Sequence, residues 1–503
     1  MPSNQNDAVH IRLEPLGETI PVWPGTPLRE ILFAYGVEFP CGGESRCKRC
    51  RVRVIEGQLD ESAGAGILTP RELAEGWRLA CRAVARTDVT IEVGQWESSI
   101  LSDESEIEFT SQFSRRPGLG IAIDLGTTTL VAQLVDLQTA AVLGVRTALN
   151  PQARRGADVM TRVEFALGPS GRLELCELIR NELGRMVREL VGGRGAPSII
   201  HIAGNTVMHH LFCDVDVTPL AHAPFVPVAM DAITFTARSL NWPEAAGATV
   251  RFLPNLGGFV GSDILAGILA THMQHSEDLV ALVDLGTNGE IVIGNRDRLI
   301  CASTAVGPAF EGGRISCGMR AATGAISAVE VDSGHLRCRV LGGGQARGIC
   351  GSGLVDAVAC GLAIGAIQPN GRIAQPIRLT DDLQLTQQDI RQVQLAKGAI
   401  AGGFRVLLRR IGASADDVTA LYLAGAFGNY INVAGARRIG LLEFPDDIIR
   451  PAGNTSLLGA RRTLFADDDY AELRARIEHI PLAADPDFQE EYVGAMGFAA
   501  PGA

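Results

Sequence analysis

The apolar positions change rhythm along the chain, and each change marks a different kind of element. Residues 10–22 alternate, which predicts two short strands joined at Gly17-Glu18. Residues 27–35 have helical spacing, with Thr26 as N-cap, Pro27 at the first helical position and Gly36 as the stop. Residues 51–55 read as a strand, residues 69–81 contain a short capped helix that delivers Cys81, and residues 89–93 close a small sheet. Residues 96–118 show no period; they carry Ser, Asp and Glu, then Arg115-Arg116-Pro117, and read as a linker. The pattern therefore divides the chain into 1–95, the linker 96–118, a lobe 119–277, a second lobe 278–480 and a tail 481–503.

After the linker the strands become continuous apolar runs. Gly120-Ile-Ala-Ile-Asp124 runs into Leu-Gly126-Thr127-Thr128-Thr129, and Leu279-Val-Ala-Leu-Val-Asp284 runs into Leu-Gly286-Thr287-Asn288-Gly289-Glu290. Each is followed by a second strand and turn, at Ile199-Ile-His-Ile-Ala-Gly204-Asn205-Thr206 and at Leu421-Tyr-Leu-Ala-Gly425-Ala-Phe-Gly428. Amphipathic helices lie between. Leu175, Leu178, Ile179, Leu183, Met186, Val187 and Leu190 share one face in the first half. Thr386, with Asp389 three residues on, starts the other helix, followed by Ile390, Val393, Ile400, Leu407 and Ile411. The strand Asp and strand Gly are 80 residues apart in one half (124 to 204) and 141 in the other (284 to 425), so the second copy carries an insertion. The expected fold is α/β and multi-domain, with a small N-terminal unit ahead of a duplicated α/β unit that has a cleft between its copies.

The N-terminal unit holds a loop, Cys41-Gly-Gly-Glu-Ser-Arg-Cys47-Lys-Arg-Cys50, and a distant Cys81. Three thiolates in a tight Gly-containing loop plus one remote thiolate is the ligand pattern of a plant-type 2Fe–2S cluster, with the first gap one residue longer than the usual four. Zinc is the competing reading, but its sites generally use two separated pairs. In the duplicated unit, a strand ending in Asp-x-Gly-Thr suits phosphate. The turn lets backbone N–H groups and hydroxyls approach oxygens, and the Asp can hold hydrated Mg²⁺. Asp124 and Asp284 are thus candidates to flank Mg²⁺ or the attacking water. Gly126, Thr127, Thr128, Gly286, Thr287 and Asn288 are candidates for the phosphates, and Gly425 and Gly428 for the nucleoside of ATP. One such turn is weak evidence; two in matching places are stronger. Neither a Walker A motif nor a strand-linked G-x-G-x-x-G is present.

Composition narrows the function further. Over 503 residues the formal net charge is −12, which argues against nucleic acid and gives no reason to expect an anionic membrane as partner. No apolar run approaches the roughly 18 residues that span a bilayer, and the polar N-terminus carries no signal region, so the cytoplasm is the expected compartment. Eleven cysteines in so long a chain do not make a disulfide framework.

The N-terminal order resembles the β-grasp of a 2Fe–2S ferredoxin, and the longer cysteine spacing resembles its adrenodoxin-like variant. The duplicated unit resembles the actin, Hsp70 and sugar-kinase superfamily of ATPases (an RNase H-like fold). As a whole the chain resembles the ATP-dependent reductive activators of corrinoid proteins. The residues that carry this are "CGGESRCKRC", "RLAC", "AIDLGTTT", "NPQARRGADVMTRV", "AGNTVMHHL", "PNLGGFVGSD", "VDLGTNGEI", "STAVGPAFEGG", "GICGSGLVD", "AKGAI" and "AGAFGNYIN". The resemblance implies a 2Fe–2S cluster on Cys41, Cys47, Cys50 and Cys81, and an ATPase coupled to one-electron return of inactive Co(II) to Co(I) in a methyltransferase system. Its implied partners are a corrinoid protein, an external electron donor (a reductase or ferredoxin) and, for a homodimer, a second copy. Each ~59 mV of unfavourable potential costs tenfold in equilibrium for one electron, so a nucleotide-driven change of state is the expected remedy. One branch of the family has further C-terminal cysteine clusters; here no cysteine follows Cys360. Two other readings stand beside this one: an electron injector akin to activators of 2-hydroxyacyl-CoA dehydratases, and a non-enzymatic module that docks a ferredoxin.

Several residues invite chemistry but read more simply. Cys301, Cys317, Cys338, Cys350 and Cys360 are irregularly spaced and read as packed thiols. His209 and His210 read as packing or capping residues rather than cobalt ligands, and Lys397 as a solvated or snorkelling helix residue. Glu311 is equally compatible with a nucleotide or partner contact and with neither.

Overall fold

The computed structural model describes residues 8–14, 18–32, 50–61, 68–93, 115–156, 158–286, 288–319, 321, 324–341, 345–428, 431–466 and 470–498. Cys41, Cys47 and Thr287, the Gly17 turn, the Gly36 stop and most of the linker fall outside them.

The N-terminal domain is a five-stranded sheet. Its strands are β1 (Val9–Glu14), β2 (Glu18–Val22), β3 (Arg51–Glu56), β4 (Trp77–Leu79) and β5 (Val89–Val93), in the order β2-β1-β5-β3-β4. Strands β1 and β5 run parallel and the other neighbours antiparallel, as in a β-grasp. Ile11, Leu13, Val52 and Ile91 are fully buried beneath it. Two local expectations change. The first helix, α1 (Leu28–Leu32), is not capped by Thr26. Thr26 and Pro27 instead pair with Ala85 and Val84, and the Thr26 hydroxyl donates to Trp23 O at 2.7 Å. The capped helix α2 (Pro70–Ala74) has the Thr69–Glu72 capping box, but strand β4, not the helix, delivers Cys81. The core of this domain continues onto Val145, with Val131 and Val142 partly buried against it.

The first lobe holds β6 (Leu119–Leu125), β7 (Thr129–Asp136), β8 (Val142–Leu149), α3 (Val159–Ala166), α4 (Gly171–Val191), β9 (Ile199–Ala203), α5 (Thr206–Cys213), β10 (Ile233–Thr236), β11 (Thr249–Phe252) and α6 (Ser262–Thr271). Its sheet order is β8-β7-β6-β9-β11-β10. The predicted apolar face of α4 is the buried one, and it packs into a core with Ile121, Ile123, Ile200 and Ile202.

The second lobe repeats this plan with β12 (Val280–Leu285), β13 (Gly289–Gly294), β14 (Leu299–Thr304), α8 (Gln387–Ile411), β18 (Ala420–Ala424), β19 (Ile449–Gly453), α11 (Thr455–Thr463) and β20 (Ile477–His479), ordered β19-β18-β12-β13-β14-β20. The expected insertion is a three-stranded sheet, β15 (Ala325–Asp332), β16 (His335–Val340) and β17 (Gly348–Ile349), followed by α7 (Gly351–Ala363). Short helices α9 (Gly425–Gly428) and α10 (Val433–Arg438) lie between β18 and β19, and α12 (Phe488–Ala495) packs on α8. The capping box of Thr386 and Asp389 starts α8 as its sequence indicates.

The repeat is visible in register. Ala203 pairs with Asp124 across the parallel strands β9 and β6, and Ala424 pairs with Asp284 across β18 and β12. Both candidate aspartates therefore end a central strand beside the last residue of its parallel neighbour. Between the lobes, α6 and α11 cross in close contact over a core that includes Leu265, Leu282, Leu457 and Ala460. A Cβ at Gly459 would lie 2.0 Å from Ala266 O, so only glycine lets these backbones approach so closely.

Candidate functional site

The site is built where the carboxyl ends of β6 and β12 face each other. Asp124 is held from the far end of the chain: the Asn454 side-chain amide donates to Oδ2 and the Ser456 hydroxyl donates to Oδ1, both at 2.8 Å. Asn454 is itself the N-cap of α11, its Oδ1 accepting from Leu457 N. Burial raises the Asp124 pKa, and the two hydrogen bonds oppose the rise.

Three further carboxyl groups feel this charge. Asp284 is pushed up to about 7 by burial and then by Asp124. Asp263, in the first turn of α6, is pushed up to about 8 by burial, then by Asp284 and, more weakly, Asp124. Glu290 on β13 is raised well above the carboxylate range by burial, then by Asp263 and Asp284, with Ser303 donating to it at 3.3 Å. Four acids that repel one another in a cleft call for a cation. Among the described residues, however, no three His, Cys, Asp or Glu side chains converge tightly enough to ligate one ion directly. Four mutually repelling carboxyl groups suit a hard cation met through its own water ligands, which is how Mg²⁺ is commonly held.

The turn after Asp124 is locked by long-range contacts. The Asn150 amide donates to Gly126 O at 2.9 Å, Asn205 Nδ2 donates to the Thr127 hydroxyl at 2.9 Å, and Arg162 donates to Thr127 O at 2.6 Å. Arg162 is fully buried and also donates to Gly156 O at 2.9 Å; burial lowers its pKa to about 10. Thr128 O accepts from Asn150 N. In the second lobe, Gly286 N donates to Asn288 O at 3.0 Å. Gly425 has φ +81°, and a Cβ there would lie 2.5 Å from Asp284 Oδ1. Gly428 is buried against Leu423, at the end of the same short helix. Asp263 reaches the cleft because α6 starts against the β9 turn, where the Ser262 hydroxyl donates to Gly204 O at 3.1 Å.

In the N-terminal domain, Cys50 and Cys81 are both buried in one core, and Ala80 N donates to Cys50 O at 2.9 Å. Neither thiol is in a disulfide. Two buried thiols held at adjacent strand ends fit half of a four-thiolate cluster site.

Asp124, Asp284 and Gly425 come together as the repeats suggest. Asp263, Glu290, Asn454, Ser456 and Arg162 belong to the same constellation and were not singled out by sequence. Glu290 and Asp263 at least lie inside the quoted motifs "VDLGTNGEI" and "PNLGGFVGSD". His209 and His210 lie in the core of the first lobe, fully buried. His210 Nδ1 is 2.8 Å from Thr206 O, and burial, with His210 next, lowers the His209 pKa to about 3. Glu311 ends a 3-10 turn, Pro308–Glu311, and is partly buried. Cys301 and Cys350 are buried and Cys317, Cys338 and Cys360 partly so. Lys397 is the misreading. It is 2 % exposed, its Nζ donates to Gly497 O at 2.5 Å and sits 5.6 Å from the Phe498 ring, and burial lowers its pKa to about 8. The last described residues of the chain cover it.

Comparison with known proteins agrees with this architecture. Residues 11–86 match the 2Fe-2S iron-sulfur cluster binding domain, residues 119–276 the RACo middle region, and residues 278–502 the C-terminal ASKHA domain of RACo. The chain is 31% identical to the corrinoid activation enzyme RamQ of Eubacterium limosum, covering 90% of this chain and 92% of that one. It is 29% identical to the [Co(II) methylated amine-specific corrinoid protein] reductase of Methanosarcina barkeri, over 75% of this chain and 77% of that one. A solved reductive activator for a corrinoid, iron-sulfur protein superposes with a TM-score of 0.68 at 26% identity, covering 98% of this chain and 99% of that one. With a ferredoxin-type sheet ahead of two lobes that close on four acids, and a relative matched over nearly its full length, the chain belongs to the family of ATP-dependent reductive activators of corrinoid proteins.

Proposed function

We propose that this protein uses ATP to return the inactive Co(II) state of a corrinoid protein to Co(I) in a methyltransferase system. The observation that carries the reading is the facing pair Asp124 and Asp284, at equivalent strand ends of two lobes, on one chain with a cluster-type domain. A 2Fe–2S centre on Cys41, Cys47, Cys50 and Cys81 supplies single-electron storage when bound.

The protein's own residues do the rest. Gly126, Thr127 and Thr128, stiffened by Asn150, Asn205 and Arg162, offer N–H and hydroxyl donors to phosphate oxygens, and Gly286, Thr287 and Asn288 do so from the opposite lobe. Asp124, oriented by the hydrogen bonds from Asn454 and Ser456, would hold hydrated Mg²⁺, with Asp263 and Glu290 nearby. Asp284, with its carboxyl near neutrality, takes the proton of the attacking water. Gly425 and Gly428 leave room for the nucleoside. Because these groups come from both lobes, nucleotide bound between them favours one lobe angle, and only differential affinity of the two angles for the Co(II) partner turns this into work on the electron. The electron enters from a separate donor, a reductase or ferredoxin.

The test mixes the cluster-loaded protein with a Co(II) corrinoid protein and a low-potential reductant, with and without ATP, and follows the cobalt absorbance. Co(I) formation that requires ATP supports the reading. Equal Co(I) formation without nucleotide sinks it.

A further inference from the structure

The two lobes meet at a second place besides the α6–α11 crossing. β20 is a three-residue edge strand whose last residue, His479, pairs with Cys301 of β14. Its backbone is fixed on both sides, Leu299 N donating to Arg476 O at 3.0 Å and Ile480 N to Cys301 O at 2.8 Å. The His479 side chain leaves the second lobe and lies against Gly257 of the first. A Cβ on Gly257 would stand 2.3, 2.5 and 2.6 Å from three atoms of the imidazole ring, so only glycine admits the ring there. Burial lowers the His479 pKa, and the Gly258 backbone beside the ring opposes the fall. The ring is neutral at physiological pH and acts on the first lobe by its shape.

Gly257 sits in the loop between β11 and α6, and that loop has little freedom of its own. Leu256 N and Gly257 N both donate to Val260 O, at 3.0 and 2.9 Å, and the buried Thr206 hydroxyl donates to Gly257 O at 2.7 Å. A Cβ on Gly258 would come within 2.3 Å of Phe225 O, and one on Gly261 within 2.3 Å of Gly204 O. The loop runs straight into α6, whose first turn carries Asp263. A segment packed this closely transmits a displacement of the ring toward the acid cleft rather than absorbing it.

We propose that His479 is a positioning residue for the acid cleft: pressed on Gly257 from the second lobe, its ring sets where the Asp263 carboxyl stands relative to Asp124 and Asp284. The inference rests on the reading of that cleft as the Mg²⁺–ATP site. It gives the lobe angle a route to the cation. A change of angle moves the ring against the loop, and the loop carries the first turn of α6 with it.

The test uses the full-length, cluster-loaded protein and reads steady-state ATP hydrolysis against Mg²⁺ concentration, beside a thermal melt. His479→Ala raises the half-saturating Mg²⁺ concentration about tenfold and lowers turnover at saturating Mg²⁺ by less than about threefold, because misplacing an acid costs most where the cation is met. His479→Gln, which returns a planar group to the same place, recovers most of the shift. Gly257→Ala drives a methyl into the ring and gives a shift of similar size. The double variant Gly257→Ala with His479→Ala is no worse than either single one, because the collision is gone. A half-saturating concentration within about twofold of the wild type in His479→Ala, or shifts that simply multiply in the double variant, overturns the proposal. So does a lower Tm with an unaltered Mg²⁺ response, which would leave His479 a merely structural residue. Should His479→Ala fail to fold, Gly257→Ala decides alone, and a Mg²⁺ response like that of the wild type overturns the proposal. A wild-type protein that hydrolyses no ATP with Mg²⁺ defeats the reading of the cleft and this inference with it. Wild-type turnover matched by the variants defeats this inference alone.

Discussion

Asn454 donates its side-chain amide to Asp124 across 330 residues of sequence, at 2.8 Å, and so ties the start of α11 to the end of β6. A hydrogen bond to a charged, buried group is worth about 1.5–3 kcal/mol. Asn454→Ala should lower saturated ATP turnover by roughly 10- to 150-fold. Steady-state hydrolysis measured beside a thermal melt checks this. Turnover within twofold of the wild type would remove Asp124 from the proposed chemistry.

Gly425 is the tightest point of the second lobe. Its φ of +81° and the 2.5 Å that would separate an added Cβ from Asp284 Oδ1 both penalise a side chain. Gly425→Ala should cost about 1–3 kcal/mol in strain and weaken ATP binding by at least about tenfold (~1.4 kcal/mol). Titration with a fluorescent ATP analogue reads the second effect. Unchanged affinity would mean that the nucleoside lies elsewhere.

The acid cleft predicts an unusual pH response. Asp284 and Asp263 have folded pKa values of about 7 and about 8, above the ordinary 3.8, so the folded state holds more protons than the unfolded one. Their contribution to stability is present in full below the unfolded value and is lost as pH rises through 7 and 8. Buried His201, His209 and His272, with pKa values of about 3, 3 and 4, act in the opposite sense, but only below about pH 6.5. Nucleotide-free protein should therefore lose stability between pH 6.5 and 8.5, at up to about 1.4 kcal/mol per unit for each group, and Asp284→Asn should flatten the slope. Urea melts across that range decide it. Mg²⁺ with ATP should protect more at pH 8 than at pH 6.5.

Arg162 holds the phosphate turn from inside the core. Arg162→Ala strands the Thr127 and Gly156 carbonyls and should cost about 2–4 kcal/mol. Arg162→Lys should recover little of this, because one ammonium cannot reproduce the planar fork. Chemical denaturation of the two variants compares them, and full recovery by lysine would contradict the geometry.

For the N-terminal domain, Cys81→Ser should lose the visible absorbance of the reconstituted cluster while ATP hydrolysis in the lobes persists. A wild-type protein that stays colourless after anaerobic iron and sulfide treatment and retains zinc would reverse the cofactor assignment.

The repeated Asp-Gly turns were legible because each is local. A buried strand, an acid and a glycine sit within seven residues, and the pairing of Ala203 with Asp124 and of Ala424 with Asp284 follows from the duplication. The partners of those acids were not legible, since Asn454 and Ser456 carry no pattern that points to a residue more than three hundred positions earlier. Arg162 sits inside a motif, but only the fold reveals that its side chain turns inward. Lys397 was misjudged for a related reason: its helix position says nothing of the Gly497 carbonyl and the Phe498 ring that arrive a hundred residues later to cover it. Thr26 looked like a cap because Pro27 follows it, and strand pairing with Ala85 took precedence.

The Gly459 crossing sets the mechanics of the whole molecule. With the α6 and α11 backbones nearly touching there, the seam serves as a fulcrum rather than a sliding surface. Small angular changes around it leave nearby groups almost in place and carry remote ones farthest. Asn454 and Asp263, each at the first turn of one of these helices, ride on short arms. Groups farther from the crossing ride on longer arms, so a small adjustment beside Asp124 is magnified there.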